Sequence, residues 1–433
     1  MARSHAVPGP TGLALCGQLL RHRDPTAVLA QVARDHPRLA RVRLGPVRAY
    51  LFNHPDLITS LLVTHGRATH KGRLQDGIRI VLGDGLLTSE GAHHARQRRL
   101  IQPALHQHRL ADYHPLMIDA AEQLARRWRP GSRVDLARQM SALTLAVVGR
   151  ALFGHDLRAA TAELAACLDV LLSGSGRHLL PDALRRLPTP GNLRRLRAAA
   201  SLDALVRALV DQRRAAASGT DLLSHLVAHL SPTQARDEAM TLLLAGHETT
   251  ATALSWAWWL LDRHEPVQRW WHEEIDRADP GSGPDQLPRT RAVLAEAMRL
   301  YPPSWLLGRR LTRPIEIDGW QLPAGTLCGA SQWVLHRDRR FWPEPLAFRP
   351  QRWLTDGRFD EAAPAAPRGA YFPFGLGARS CVGRGFAWAE GTLLLATLGR
   401  RWQPRVLAGH PVVPLPSITL RPRYGLPVTL LPR

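Results

Sequence analysis

The chain reads as a mainly α protein with small β-sheets. Three observations predict this. Apolar residues recur at helical spacing over long stretches, above all from Ala92 to Phe153 and from Pro232 to about Arg263. Alternating, strand-like segments are short: Arg41 to Phe52, Pro314 to Ala330 and Ser417 to Leu431. Proline and glycine mark most of the boundaries, with no internal repeat or long linker between them.

Taken in order, Arg41 to Phe52 (RVRLGPVRAYLF) alternates around Gly45-Pro46 and predicts a β-hairpin. His54 to Val63 predicts a short helix, and Leu74 to Gly91 is glycine-punctuated and irregular. Pro181 to Asn192 is proline-rich and predicts a loop, followed by helix over Arg194 to Leu230. Ser231-Pro232 is a helix start, an N-cap serine with proline in the first turn. The helix it opens would run roughly 30 residues, or ~45 Å, and cross a whole domain. It is apolar on most faces, so burial is expected. Arg289 to Tyr301 is helical until Pro302-Pro303 stops it. Pro314 to Ala330 turns at Pro323-Ala324-Gly325, and the tail carries two strand-like pieces around Gly425.

Bulk properties exclude several classes. With 45% hydrophobic and 21% charged residues, the 433-residue chain is globular and long enough for a large core. No apolar run reaches the ~18 residues of a membrane span, and MARSHAVPGPTG lacks the apolar centre of a secretion signal. A cytoplasmic protein with no membrane anchor is the expectation. The four cysteines, Cys16, Cys167, Cys328 and Cys381, lie far apart without a CxxC pair, against a zinc or disulfide framework. Cys16, Cys167 and Cys328 read as small apolar residues. The formal charge is +21, and Lys71 is the only lysine, so arginine supplies nearly all of the cation. The arginines are scattered and no nucleic-acid motif is present, so a basic face for an acidic protein partner is the better reading.

The most telling stretch is Phe374 to Gly383, FGLGARSCVG. Cys381 lies among Gly375, Gly377 and Gly383, two residues after Arg379, and is followed by the helix-forming run RGFAWAEGTLLLATLG. Positive charge, backbone N–H donors and a helix N-terminus all favour an ionised thiol. Leu242 to Thr250, LLLAGHETT, puts glycine, acid and threonine inside the long helix, where a threonine hydroxyl can bond back to a carbonyl and bend it. Glu296 and Arg299 form an i,i+3 pair in the apolar setting VLAEAMRLYPP, and a buried pair needs further partners. Phe348 to Trp353, FRPQRW, offers one in Arg352. His94 and Arg98 share a helical face at i,i+4.

Together these residues resemble the cytochrome P-450 family. Phe374, Gly377, Arg379, Cys381 and Gly383 fill F-x-x-G-x-R-x-C-x-G, and Ala245, Gly246, Glu248, Thr249 and Thr250 fill the oxygen-side motif, with Glu248 where many members carry aspartate. The resemblance implies a single haem domain over 1–433 with no fused reductase. Cys381 would be the proximal iron ligand, in a loop formed with Phe374, Gly375 and Gly383. Thr249 and Glu248 would manage protons at O2. His94, Arg98, Arg309 and Arg379 would meet the propionates, which need cationic donors, with His93 and Arg310 as adjacent competitors. Glu296, Arg299 and Arg352 would prop the Cys381 loop, and His247 would be exposed or structural. Substrate contacts would come from Leu244, Ala245, Trp305, Leu306, Leu307, Ser417 and Ile418, and from the stretch near Ile78 to Leu82.

The implied activity is insertion of one oxygen atom of O2 into a lipophilic small molecule, with haem b as cofactor. A secondary-metabolite terpenoid is the first substrate guess, ahead of a macrolide, polyketide or fatty acid. Electrons would come from NAD(P)H through a separate ferredoxin and ferredoxin reductase, which would dock on Arg96, Arg99 and Arg384 of a monomer. The alternative is a non-oxygenating or peroxide-using haem-thiolate enzyme.

Overall fold

A computed structural model describes residues 7–10, 24–44, 47–72, 78–79, 81–155, 166–167, 170–171, 187–216, 219, 221–364 and 366–433. Its helices are α1 (Pro25–Asp35), α2 (Pro55–Thr59), α3 (Gly91–Ile101), α4 (Gln107–Arg127), α5 (Leu136–Phe153), α6 (Pro190–Ala215), α7 (Leu222–His229), α8 (Pro232–Arg263), α9 (Glu265–Arg277), α10 (Pro288–Leu300), α11 (Gln332–Leu335) and α12 (Arg384–Gly399). Its strands are β1 (Leu39–Leu44), β2 (Val47–Phe52), β3 (Thr69–His70), β4 (Arg133–Asp135), β5 (Leu307–Leu311), β6 (Ile315–Ile317), β7 (Trp320–Leu322), β8 (Leu327–Ala330), β9 (Leu354–Thr355), β10 (Arg358–Phe359), β11 (Trp402–Val406), β12 (Pro414–Pro416), β13 (Leu420–Pro422) and β14 (Pro427–Pro432). This is the mainly helical architecture with small sheets that the sequence predicts. The chain divides into two compact units.

The first unit comprises Met1–Asp76, Met298–Phe348 and Glu361–Cys381. Its sheet has the order β1-β2-β8-β5-β3. The predicted hairpin is β1–β2, antiparallel from Leu39↔Phe52 to Leu44↔Val47, and its Gly45-Pro46 turn lies outside the described residues. β2 runs parallel to β8, while β5 is antiparallel to β8 and to β3. Leu39, Phe52, Ile58, Leu61, Leu311 and Phe372 bury a common apolar core. α2 passes directly into one π turn, Ser60–Thr64, which carries Leu61 and Leu62 into that core. Cys328, on β8, is 3% exposed, and burial pushes its thiol up to about 12, which suits a space-filling role. Cys16 lies outside the described residues.

The second unit comprises Gly77–Ala297, Arg349–Asp360 and Val382–Arg433. α8 forms its axis, packed by α5, α6, α7, α9 and α12. The start at Ser231 is a capping box, in which Ser231 accepts from the Gln234 N–H and the Gln234 side chain accepts from the Ser231 N–H. Leu243, Leu254, Trp256, Ala257 and Leu261 are all fully buried, as the all-round apolar pattern requires. Trp256 donates its indole N–H to the Leu420 carbonyl at 2.7 Å.

Departures from the predicted elements have local causes. α6 starts at Pro190, inside the predicted loop, because Thr189 caps it and Pro190 needs no N–H bond in the first turn. The stretch to Leu230 is broken before α7, whose N-cap Asp221 accepts from the Ser224 N–H. β11 pairs with β14 through Pro404, a residue that speaks against a strand in sequence.

One buried group governs an aspect of stability. Glu390 on α12 is 0% exposed, and burial pushes its carboxyl up to about 8. The Thr250 hydroxyl on α8 faces it and lowers the value somewhat, but neither carboxyl oxygen closes a hydrogen bond of ordinary geometry. The folded state therefore holds the neutral acid while the unfolded chain ionises from its ordinary 4.5 upward. Stability is full below that value and falls as pH rises towards about 8, by an amount on the order of a few kcal/mol. Glu390→Gln is neutral at every pH. Its melting temperature should match the parent in acid and exceed it increasingly as pH rises through this window; parallel curves would show that the carboxyl is already ionised in the fold.

Candidate active site

In the first unit, the loop from Phe372 to Cys381 is built by backbone bonds. The Gly375 N–H donates to the Phe372 carbonyl at 2.9 Å, the Ser380 N–H to the Gly377 carbonyl at 3.0 Å, and the Cys381 N–H to the Phe374 carbonyl at 2.8 Å. Gly375 and Gly377 both have φ of +70, a conformation that other residues rarely adopt. At Gly377 a Cβ would also stand 2.3 Å from the Leu62 carbonyl oxygen. The result presents Cys381 exposed, outside any disulfide, with Arg379 half-buried in the turn before it.

Arg309 lies on β5 of the same unit, 6% exposed, with one guanidinium nitrogen 2.8 Å from the Gly308 carbonyl. Its competitor Arg310 is exposed, since alternate residues of a strand face opposite ways. Trp305, Leu306 and Leu307 are half-buried at the start of that strand. Arg299, fully buried, donates to the carbonyls of His336 at 2.8 Å, Pro345 at 2.7 Å and Ala347 at 3.1 Å, with its guanidinium 5.1 Å from the Trp342 ring centre.

In the second unit, Thr249 donates its hydroxyl to the Ala245 carbonyl at 2.8 Å, within α8. Ala245 is exposed and Gly246 and Thr249 are half-buried, beside buried Leu244, His247, Glu248 and Thr250. Glu248 accepts from the Thr419 hydroxyl at 2.8 Å, and its other oxygen is 3.9 Å from the His247 ring. His247 is 1% exposed, so of the two readings of this residue the structural one holds: its Nδ1 meets the Leu243 carbonyl at 3.0 Å and its own carbonyl accepts from Thr144. Gly246 serves helix packing, because a Cβ there would lie 3.0 Å from Val148 of α5. Ile418 is half-buried in the turn between β12 and β13, beside the buried Ser417.

On α3, His94 is buried and Arg98 half-buried on one face. His93 is occupied elsewhere, 2.9 Å from the Gln97 amide and 3.3 Å from the Asp84 carbonyl. The nearby turn is tied to α8: Asp237 accepts from the Asp84 N–H at 2.8 Å and Glu238 from the Leu86 N–H at 3.0 Å. Leu82, from the predicted substrate stretch, is fully buried, while Ile80 within that stretch lies outside the described residues. Gly383 is the N-cap of α12 at φ −88, an ordinary backbone conformation.

Glu296, fully buried, accepts from Arg352 at 3.1 Å, from the Trp353 indole at 2.9 Å and from the Arg349 backbone N–H at 3.0 Å. The unit boundary falls within α10, so Glu296 serves one unit and Arg299 the other. The sequence reading missed Trp353, Thr419 and His336 as bonding partners. Trp353 is legible, since its motif contains it, but no motif marks the other two.

Chemically, the exposed sulfur of Cys381 is a single soft donor. A lone thiolate suits a metal that brings its remaining ligands with it, as porphyrin iron does, so the residues present fit a haem.

Comparison with known proteins agrees. A profile for cytochrome P-450 matches residues 7–423. Cyclooctatin synthase of Streptomyces melanosporofaciens is 38% identical over 96% of this chain and 93% of its own length. Cyclooctat-9-en-7-ol 5-monooxygenase of the same organism is 37% identical, over 89% and 86%. Pentalenene oxygenase of Streptomyces avermitilis is 35% identical, over 89% and 88%. Among solved structures, CYP175A1 from Thermus thermophilus superposes with a TM-score of 0.79 at 30% identity, covering 98% of this chain and 100% of that one.

Removing the Glu296 carboxylate leaves a guanidinium, an indole N–H and a backbone N–H without their acceptor. Glu296→Ala should cost about 3–5 kcal/mol in denaturant unfolding, and Glu296→Gln clearly less; equal losses would show that the carboxyl only fills space.

Proposed function

This chain belongs to the cytochrome P-450 family, whose members bind haem iron and use O2, and from that premise we propose that it is a monooxygenase of terpenoid secondary metabolism. The observation that carries the proposal is the Cys381 loop, where glycine turns and a closed set of backbone bonds hold one exposed sulfur. The terpenoid substrate class is supported by the three Streptomyces relatives, all terpenoid-oxidising enzymes. When bound, the haem supplies activation of dioxygen and transfer of one oxygen atom.

The chain's own residues divide the remaining work. In the first unit, Cys381 would hold the iron, Phe374 and Gly375 shape its loop, and Arg309 and Arg379 take propionate oxygens. In the second, His94 and Arg98 do the same for propionate. Thr249 positions a proton with its hydroxyl, and Glu248 moves protons towards it while Thr419 orients the carboxylate. Leu244, Ala245 and Ile418 in one unit, and Trp305 and Leu306 in the other, would contact a lipophilic substrate and exclude water.

Electrons would come from NAD(P)H through a ferredoxin and its reductase, acting on a cytoplasmic monomer. No described helix is long and apolar enough to cross a membrane. Arg96, Arg99 and Arg384 are exposed in the second unit. Arg99 also lines a groove of about 500 Å³ with His106, His108 and Arg109, a basic surface suited to an acidic partner.

The direct test supplies purified protein with ferredoxin, reductase, NAD(P)H and cyclic terpene hydrocarbons or alcohols under labelled dioxygen. Product carrying one labelled oxygen is expected; turnover that needs no reductant, or product without label, would overturn the reading. Thr249→Ala should give less product and more hydrogen peroxide per NAD(P)H, and an unchanged ratio would remove Thr249 from proton delivery. Reversing Arg96, Arg99 and Arg384 to glutamate should slow ferredoxin-driven turnover on the order of tenfold at low salt, with the difference shrinking as salt is added.

A further inference from the structure

His336 takes no part in the assignments above, yet it joins two parts of the first unit. It follows α11 and is completely buried. Its carbonyl accepts from Arg299 at 2.8 Å, and its N–H donates to the Gln332 carbonyl at 2.9 Å, so its backbone is fixed from two sides. Its ring Nε2 accepts the backbone N–H of Phe372 at 3.0 Å. Phe372 is the residue from which the Cys381 loop hangs: its carbonyl holds Gly375, and Phe374 in turn holds the Cys381 N–H. The imidazole also stands edge-on to the Phe372 ring at 5.3 Å and tilted against Tyr371 at 5.1 Å.

An acceptor role requires a lone pair on Nε2 and hence a neutral ring protonated at Nδ1. Burial pushes His336 down to about 3, and Arg299 and Arg337 act in the same direction. The backbone of Met298 and Arg299 lies beside the ring, and Nδ1 closes no hydrogen bond of ordinary geometry. The ring is therefore a permanent acceptor aimed at one amide.

We propose that His336 is a positioning residue for the haem ligand, anchoring through Nε2 the start of the loop that holds Cys381. The proposal rests on the reading of Cys381 as the thiolate ligand. Without the acceptor, the Phe372 N–H would lie buried and unpaired, and the loop would relax to find it a partner. The sulfur would then shift and take up a proton more readily.

The test compares the wild-type holoenzyme with His336→Phe, which keeps the aromatic packing and removes the acceptor, and His336→Gln, whose amide oxygen can replace Nε2. Each is reduced and exposed to carbon monoxide, and its reduction potential is measured. For His336→Phe, haem should remain bound, most of the carbonyl Soret band should move from the red-shifted thiolate position to the blue-shifted thiol position, and the potential should rise. His336→Gln should largely restore both. A Phe variant with the wild-type band and potential overturns the proposal and leaves the haem-thiolate reading intact. A wild-type protein lacking the red-shifted band overturns both. Should the Phe variant fail to fold, hydrogen exchange on the wild-type holoenzyme decides: the Phe372 amide should be among the slowest of residues 366–381, and exchange as fast as in an open loop overturns the anchor.

Discussion

A sulfur that is to serve a metal must be open while the backbone carrying it is closed to water, and under the proposed function the Cys381 loop meets both demands. The Cys381 side chain is exposed, but its amide is bonded to Phe374 and the turns before it are bonded to one another. Left-handed glycines make those bonds reachable within a few residues. What remains is to keep the loop in place. Its outer turn rests on the Leu62 carbonyl and its first residue on the His336 ring, while Arg299 secures the segment carrying that ring through three carbonyls.

Three buried glutamates show how one side chain takes different characters. Glu296 is surrounded by donors from Arg352, Trp353 and Arg349, which is the setting of a structural carboxylate. Glu248 has one hydroxyl partner, Thr419, and a histidine at the edge of contact. Glu390 has burial and little else, and stays neutral. Donor count around the carboxyl, more than depth, separates the three.

How much was legible in the sequence depends on whether the physics is local. The capped start of α8 at Ser231-Pro232, its end at Arg263 and the stop at Pro302-Pro303 follow from short-range chemistry and were readable. The motifs that contain Cys381, Glu248, Thr249, Glu296, Arg299 and Arg352 were also visible, because their spacing is fixed along the chain. Partners set by tertiary approach were not readable. Thr419 reaches Glu248 across 171 residues and His336 reaches Phe372 across 36, and neither contact leaves a periodic trace. β11 was hidden for a related reason, since its edge contains a proline that sheet pairing tolerates and local propensity does not. Gly246 is marked by its motif, but its close packing against Val148 of α5 leaves no trace in the sequence.

The missing Cβ at Gly377 has a mechanical consequence. With the Leu62 carbonyl so close, any side chain at position 377 would wedge the Cys381 turn away from the π turn at Ser60–Thr64. Val63, exposed on that turn, would have its Cα only 3.4 Å from the same Cβ, so the seam between the two turns reaches the surface.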